Sequence, residues 1–169
     1  MITIASANYD KRLLSLQDGV SFFCIFGRDG ITENKIEGDW KTPIGIFPVR
    51  KIYFREDKIN LLNTKIETIP ISKEDAWCDD SSKEEYNTFV KLPFDGSYEN
   101  LWREDSMYDI VVVLGYNDSP VVKNRGSAIF IHIAKDDMKY TKGCLAIKKE
   151  NMLQLIKDIS INTQIKISL

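Results

Sequence analysis

A single histidine, His132, and a cysteine twelve residues further on, Cys144, are the residues of this chain best suited to nucleophilic chemistry. His132 stands in Ala128–Ile133 (AIFIHI), a run otherwise apolar, β-branched or aromatic, which reads as a strand buried on both faces. An imidazole in such a strand needs a partner or a task, because an unpaired buried polar group is costly. After Ala134 the chain turns polar and then tightens through Thr141-Lys142-Gly143 into Cys144, a loop that can fold back and bring the sulfur to the ring. A free thiol, with pKa about 8.5, is mostly protonated at neutral pH, and the thiolate is the nucleophile. An imidazole within reach takes that proton, and the resulting ion pair keeps the sulfur charged. Gly143 permits positive φ and close approach of the backbone. The N–H groups of Gly143 and Cys144 can then face a developing oxyanion, and Lys139 and Lys142 add positive charge. Against this stands plain packing, since cysteine is also a small buried hydrophobe.

The elements that must position this pair are mostly strands. Ile2–Ala7 reads as a strand, and Arg12–Leu16 with Val20–Phe26 as a hairpin about Asp18-Gly19. Gly27–Gly45 is punctuated by glycine, asparagine and proline and reads as loop, with GDWKTPIG shaping one wall of a cleft before a strand over Ile46–Phe54. Lys65–Ile71 is strand-like, and Pro70 places it at an edge or a strand end. Ser72–Asn87 reads as a charged, irregular insertion, and its Asp79-Asp80 cluster as a solvated face, a helix cap or a cation site. Trp102 and Arg103 fall in a short helical turn, where packing with a surface ion pair competes with a substrate role. Asp109–Leu114 is a central buried strand, followed by a turn at Gly115–Asp118 that includes Asn117. Arg125 is placed to hold a carboxylate by its fork, or to form a structural ion pair. Met152, Leu155, Ile156 and Ile159 recur at helical spacing within Lys148–Ser160, and Thr163–Leu169 alternates as a last strand.

At 169 residues the chain is expected to be one domain, residues 1–169, with a single substantial core. A net charge of −2 leaves no basic footprint for nucleic acid and no polybasic membrane patch, and no apolar run approaches a membrane span. Three cysteines without C-x-x-C spacing indicate neither a disulfide framework nor a zinc knuckle. Cys24 lies in the apolar FFCIF and reads as core, and Cys78 sits beside two aspartates that disfavour its thiolate. A metal site from His132, a cysteine and a carboxylate matches no familiar ligand spacing. No cofactor is expected. The N-terminal MITIASANYDKRL lacks the basic and apolar regions of an export signal, so a cytoplasmic location is expected, or a periplasmic one if a leader has been removed.

The run GSAIFIHIAKDDMKYTKGCLAI resembles the catalytic signature of the YkuD-type L,D-transpeptidases, a strand histidine followed by a Ser/Thr-x-Gly-Cys loop. Gly38–Gly45 is similar to that family's G-D-x-x-T-P-x-G turn. Ala76–Asp80, Leu101–Asp105 and Val113–Asp118 resemble a compact branch of it, so the likeness runs from about Ile31 to Ile159. Two positions depart from the pattern: Lys142 stands where many relatives carry a second histidine, and Ala146 where many have Arg or Asn. The resemblance implies a mainly β fold, a curved mixed sheet or β-sandwich with one C-terminal amphipathic helix. It implies Cys144 as nucleophile, His132 as base, Gly143 in the oxyanion site, and a backbone carbonyl behind the imidazole. Arg125, Trp102, Arg103, Lys142 and Asn117 are the candidates for holding substrate. The implied partners are murein stem peptides, a tetrapeptide ending in D-Ala above all. Removal of D-Ala in peptidoglycan recycling is the favoured activity. Formation of 3→3 cross-links and a non-catalytic, peptide-binding β module are the alternatives.

Overall fold

The computed structural model describes residues 1–169. Its strands are β1 (Thr3–Asn8), β2 (Leu13–Ser15), β3 (Ser21–Phe23), β4 (Ile31–Thr32), β5 (Thr42–Pro43), β6 (Gly45–Phe54) and β7 (Thr68–Pro70). They continue with β8 (Asp75–Cys78), β9 (Phe89–Lys91), β10 (Tyr98–Asn100), β11 (Ile110–Leu114), β12 (Phe130–Ile133), β13 (Leu145–Ile147) and β14 (Thr163–Ser168), with helix α1 (Lys149–Asp158) before the last. The main sheet runs β13-β12-β11-β6-β14-β1-β2-β3, with β7 attached beside β6. It is mixed: β1 pairs β14, β12 pairs β13 and β6 pairs β7 in parallel, while the pairs β6–β11, β6–β14, β11–β12, β1–β2 and β2–β3 are antiparallel.

The sheet curls until its two ends meet. Ile25, just beyond β3, exchanges both backbone hydrogen bonds with Ala146 of β13, at 2.8 and 2.9 Å. Thr141 continues the seam to Phe26 and Arg28 at 2.9 and 3.0 Å. Closing the ends in this way satisfies strand edges that would otherwise be exposed.

Side-chain alternation divides the apolar residues between two cores. Ile110, Val112 and Leu114 of β11 and Ile131 and Ile133 of β12 enter a large cluster that also takes Ile165 and Ile167 of β14. Met152, Leu155 and Ile156 press the helix into that same cluster. The helix has Glu150 in its first turn and Lys157 in its last, each complementing the local end of the dipole. On the other face, Val111, Val113 and Phe130 join Tyr53, Trp77, Leu101, Tyr108 and Cys144. The strands of β11 and β12 are therefore apolar on both sides, as their uninterrupted hydrophobic runs require.

Two local expectations are corrected. The stretch read as an irregular insertion contains β8, buried at all four residues. Its leading Asp75 masks it in sequence, and that carboxylate is satisfied by the Ser72 amide and hydroxyl at 2.8 and 2.9 Å and by Lys91. The stretch around Trp102 and Arg103 is an irregular turn and not helical. Arg103 is held there by a bidentate pair with Asp105, 2.8 Å on each arm, and Arg55 donates to the Arg103 carbonyl at 2.7 Å. These side-chain bonds replace the backbone ladder that a helix would need.

Candidate active site

The parallel crossover from β12 to β13 brings His132 and Cys144 to one face of the sheet. Phe130 and His132 share that face by the two-residue period, and the Phe130 N–H points at the Cys144 sulfur from 3.4 Å. Both residues line a cavity of about 630 Å³. One wall is the loop before β6, which supplies Lys35, Glu37, Gly38 and Trp40. Glu99 of β10, Arg103 and Tyr108 also line the cavity.

His132 is 1% exposed, and its Nδ1 lies 3.0 Å from the Ile133 carbonyl oxygen. A carbonyl only accepts, so in the neutral ring Nδ1 carries the hydrogen and Nε2 is left basic. The Tyr108 ring meets the imidazole edge-on, centroids 5.4 Å apart. Burial lowers the imidazole pKa to about 4, with Arg103 and Lys135 also opposing its positive charge and the Ile133 carbonyl and Asp105 favouring it.

Cys144 is 8% exposed, and its thiol donates to the Ala128 carbonyl at 3.1 Å. No hydrogen bond joins the sulfur to His132. Burial pushes the thiol up to about 12, the Glu99 charge adds to this, and the Phe130 N–H and Lys35 act in the opposite sense. These directions favour the neutral thiol and the neutral imidazole over the thiolate–imidazolium pair. Desolvation disfavours both charged forms, and it outweighs the nearby lysines.

Gly143 sits at φ +141, and a Cβ there would lie 2.8 Å from the Lys41 carbonyl oxygen. Its N–H donates to the Thr141 hydroxyl at 3.0 Å, and that hydroxyl donates in turn to the Cys144 carbonyl at 2.7 Å. The Gly143 N–H is thus engaged in shaping the turn, whereas the Cys144 N–H makes no hydrogen bond within the protein. Of the two amides expected at an oxyanion site, only the second is free.

The residues proposed to hold substrate separate into two groups. Lys142 and Arg103 line the cavity. Lys142 stands 5.4 Å over the Trp40 ring, and Arg103, paired with Asp105, lies over Tyr108 at 5.3 Å. Trp102, Asn117 and Arg125 lie outside it. Trp102 stacks beneath the Arg55 guanidinium at 3.4 Å. The Asn117 amide staples its own loop, donating to the Val122 and Gly126 carbonyls at 3.0 and 2.9 Å and accepting from the Val122 N–H at 2.8 Å. Arg125 is exposed with no ion-pair partner, and its carbonyl accepts from the Tyr116 hydroxyl.

Four cavity residues had no signal in the sequence. Tyr108 donates to the Glu99 carboxylate, whose own pKa is raised by burial. Glu37 accepts from Tyr86 at 2.5 Å and from Ser127 at 2.8 Å. Lys35, 5% exposed, is anchored by Asp39 of the GDW turn. Lys35 and Glu37 come from the loop between β4 and β5, Glu99 from β10 and Tyr108 from the turn before β11, so only the assembled fold juxtaposes them.

A strand histidine, a Gly-Cys turn and the GDW loop thus meet around one cavity on a curled, mixed β-sheet. Residues 3–167 match the model of the YkuD L,D-transpeptidase catalytic domain, and the chain belongs to that family. Among solved structures it is similar to L,D-transpeptidase 3 from Mycobacterium tuberculosis, in complex with a faropenem-derived adduct, at 12% identity and TM-score 0.50, covering 99% of this chain and 60% of that one. It is also similar to the helical cell shape determining protein Pgp2 from Campylobacter jejuni, at 17% identity and TM-score 0.52, covering 99% of this chain and 47% of that one. Bdellovibrio bacteriovorus Bd1075 stands at 14% identity and TM-score 0.52, covering 98% and 47%. At these identities the likeness is one of fold, and the chain spans about half to three fifths of the length of these structures. A search of curated proteins found no match.

Proposed function

We propose that the protein cleaves the L,D-peptide bond before D-Ala in murein tetrapeptides through a thioacyl-enzyme on Cys144. The observation that carries this reading is the pairing of a cavity-facing thiol with an imidazole whose Nδ1 is tied to the Ile133 carbonyl, leaving Nε2 as base. As substrate enters, the thiol leaves the Ala128 carbonyl, and its proton passes to Nε2 as sulfur attacks the carbonyl carbon of the L-centre. A proton transfer concerted with attack suits a pair that rests neutral. The Cys144 N–H donates to the oxyanion. Collapse breaks the C–N bond, and the imidazolium returns its proton to the departing D-Ala amine. Water then attacks the thioester, giving its proton to His132, and the tripeptide carboxylate leaves as the thiol reforms.

Replacement of that water by an amine would give a cross-link. One feature favours this second reading: a further cavity of about 640 Å³ shares the Met138 wall with the first and has room for a second stem. A cytoplasmic place of action is proposed with the hydrolytic reading, and a periplasmic one with cross-linking. The deciding experiment is mass spectrometry of products from a murein tetrapeptide, with Cys144→Ala alongside. Loss of one D-Ala, absent in the variant, is the expected result. Cross-linked dimer without tripeptide would move the reading to transpeptidation, and turnover equal in both proteins would sink the thiol chemistry.

A further inference from the structure

The carbonyl that holds the Cys144 thiol belongs to a residue in an unusual conformation. Ala128 has φ +54, a left-handed geometry that an alanine adopts at a cost, and it follows Gly126 at φ +100. Something must impose that geometry, because the next residues enter β12 as ordinary strand. The constraint is Asn87, from the loop between β8 and β9. Its Oδ1 accepts the Ala128 N–H at 3.0 Å and the Trp77 indole N–H at 3.0 Å. Its Nδ2 donates to the Tyr116 and Asn117 carbonyls at 2.9 and 2.8 Å. The side-chain amide is therefore fully used, 6% exposed, and itself sits on a left-handed residue at φ +58. A group so completely bonded fixes its partners with little freedom.

We propose that Asn87 is a positioning residue for the nucleophile: by fixing the Ala128 backbone it aims the Ala128 carbonyl at Cys144 Sγ and parks the thiol, protonated, until substrate displaces it. Asn87 touches neither sulfur nor substrate. It acts through one peptide unit. A thiol donating to a carbonyl is favoured in its neutral form, so the latch protects the sulfur from adventitious electrophiles between turnovers. The charged and titratable groups facing the sulfur from other elements are His132 of β12, Glu99 of β10, Tyr108 of the turn before β11 and Lys35 of the loop between β4 and β5. None of them contacts Asn87. The catalytic importance of the latch rests on the function proposed above, but its effect on the thiol does not require turnover.

The test is alkylation by iodoacetamide at pH 8, followed for each cysteine separately by peptide mass spectrometry. Asn87→Gly removes the side chain while tolerating the left-handed backbone, and Asn87→Asp keeps the acceptor for the Ala128 N–H. We expect Cys144 in Asn87→Gly to react about ten-fold faster than in the unaltered protein, with Cys24 and Cys78 unchanged, and Cys144 in Asn87→Asp to react no faster than in the unaltered protein. D-Ala release by Asn87→Gly should meanwhile fall in kcat with KM little altered, because the sulfur is freed but no longer held in place. Unchanged Cys144 alkylation in Asn87→Gly would overturn the proposal, as would a rise common to all three cysteines or equal speed in the two variants. Amide exchange on the unaltered protein gives an independent check. The Ala128 N–H should be protected to the level of the β12 amides, and exchange at an open-loop rate would contradict the latch.

Discussion

The Nδ1 of His132 lies 3.0 Å from the carbonyl oxygen of Ile133, its own neighbour along β12. No carboxylate orients the ring. A backbone acceptor fixes the tautomer without adding negative charge, so nothing nearby strongly rewards the imidazolium, and burial keeps the ring neutral.

That arrangement sets the pH dependence of activity. With the base titrating near 4 and the thiol near 12, kcat/KM for D-Ala release should be level from about pH 5.5 to 9 and fall on the acid side as His132 takes up a proton. A bell centred near neutrality, with limbs at ordinary imidazole and thiol values, would contradict the neutral resting pair.

Stability should follow the same ring. In the unfolded chain His132 titrates near 6.5, and in the fold near 4. Between those values the unfolded state binds the extra proton, so stability rises with pH through this window and is lost as pH falls through it. Integrated, the effect is about 3 kcal/mol. Urea unfolding at pH 4.5 and 7 should show most of this difference, and His132→Gln should remove it.

Cys144→Ala should abolish thioester formation while leaving the unfolding midpoint close to that of the unaltered protein, since only the sulfur is lost from a site that already opens to the cavity. His132→Gln should lower kcat by about 10²–10⁴-fold with Cys144 intact, the usual range for loss of a positioned base. Intact-protein mass spectrometry during turnover reads both. A persistent acyl adduct on the Cys144→Ala protein would place the nucleophile elsewhere.

Gly143→Ala meets two obstacles at once, a positive φ and a Cβ only 2.8 Å from the Lys41 carbonyl oxygen. The backbone penalty alone is about 1–3 kcal/mol, and relief requires the turn to move away from the GDW loop. Thermal unfolding should show a drop of that order, with activity falling further than stability because the Cys144 N–H shifts with the turn.

Arg125→Ala should leave KM for the tetrapeptide unchanged, because its side chain lies outside the cavity. Trp102→Ala should destabilise the protein by about 3–5 kcal/mol or somewhat less, being half-buried beneath Arg55, again with little change in KM. Lys142→Ala and Arg103→Ala are the substitutions expected to raise KM, and steady-state kinetics on the four variants separates the groups.

Much of this was legible in the amino-acid sequence. The apolar runs of β11 and β12, the period of α1 and the alternation of β14 declared themselves because each element is dominated by its own hydrophobic pattern. The spacing of His132, Gly143 and Cys144 was legible for a similar reason, since all three lie in one strand and the turn that follows. β8 was hidden because Asp75 is satisfied by Ser72 and Lys91, partners that a local pattern does not reveal. The tertiary structure alone decided the burial of the pair, because it depends on how two cores close around it. It also decided the hydrogen-bond partner of each site atom. Ala128 receives the thiol, Thr141 occupies the Gly143 amide, and Asn87, remote in sequence, governs the Ala128 backbone. Sequence specifies which side chains can react; distances between loops that only meet in the folded chain specify how they rest.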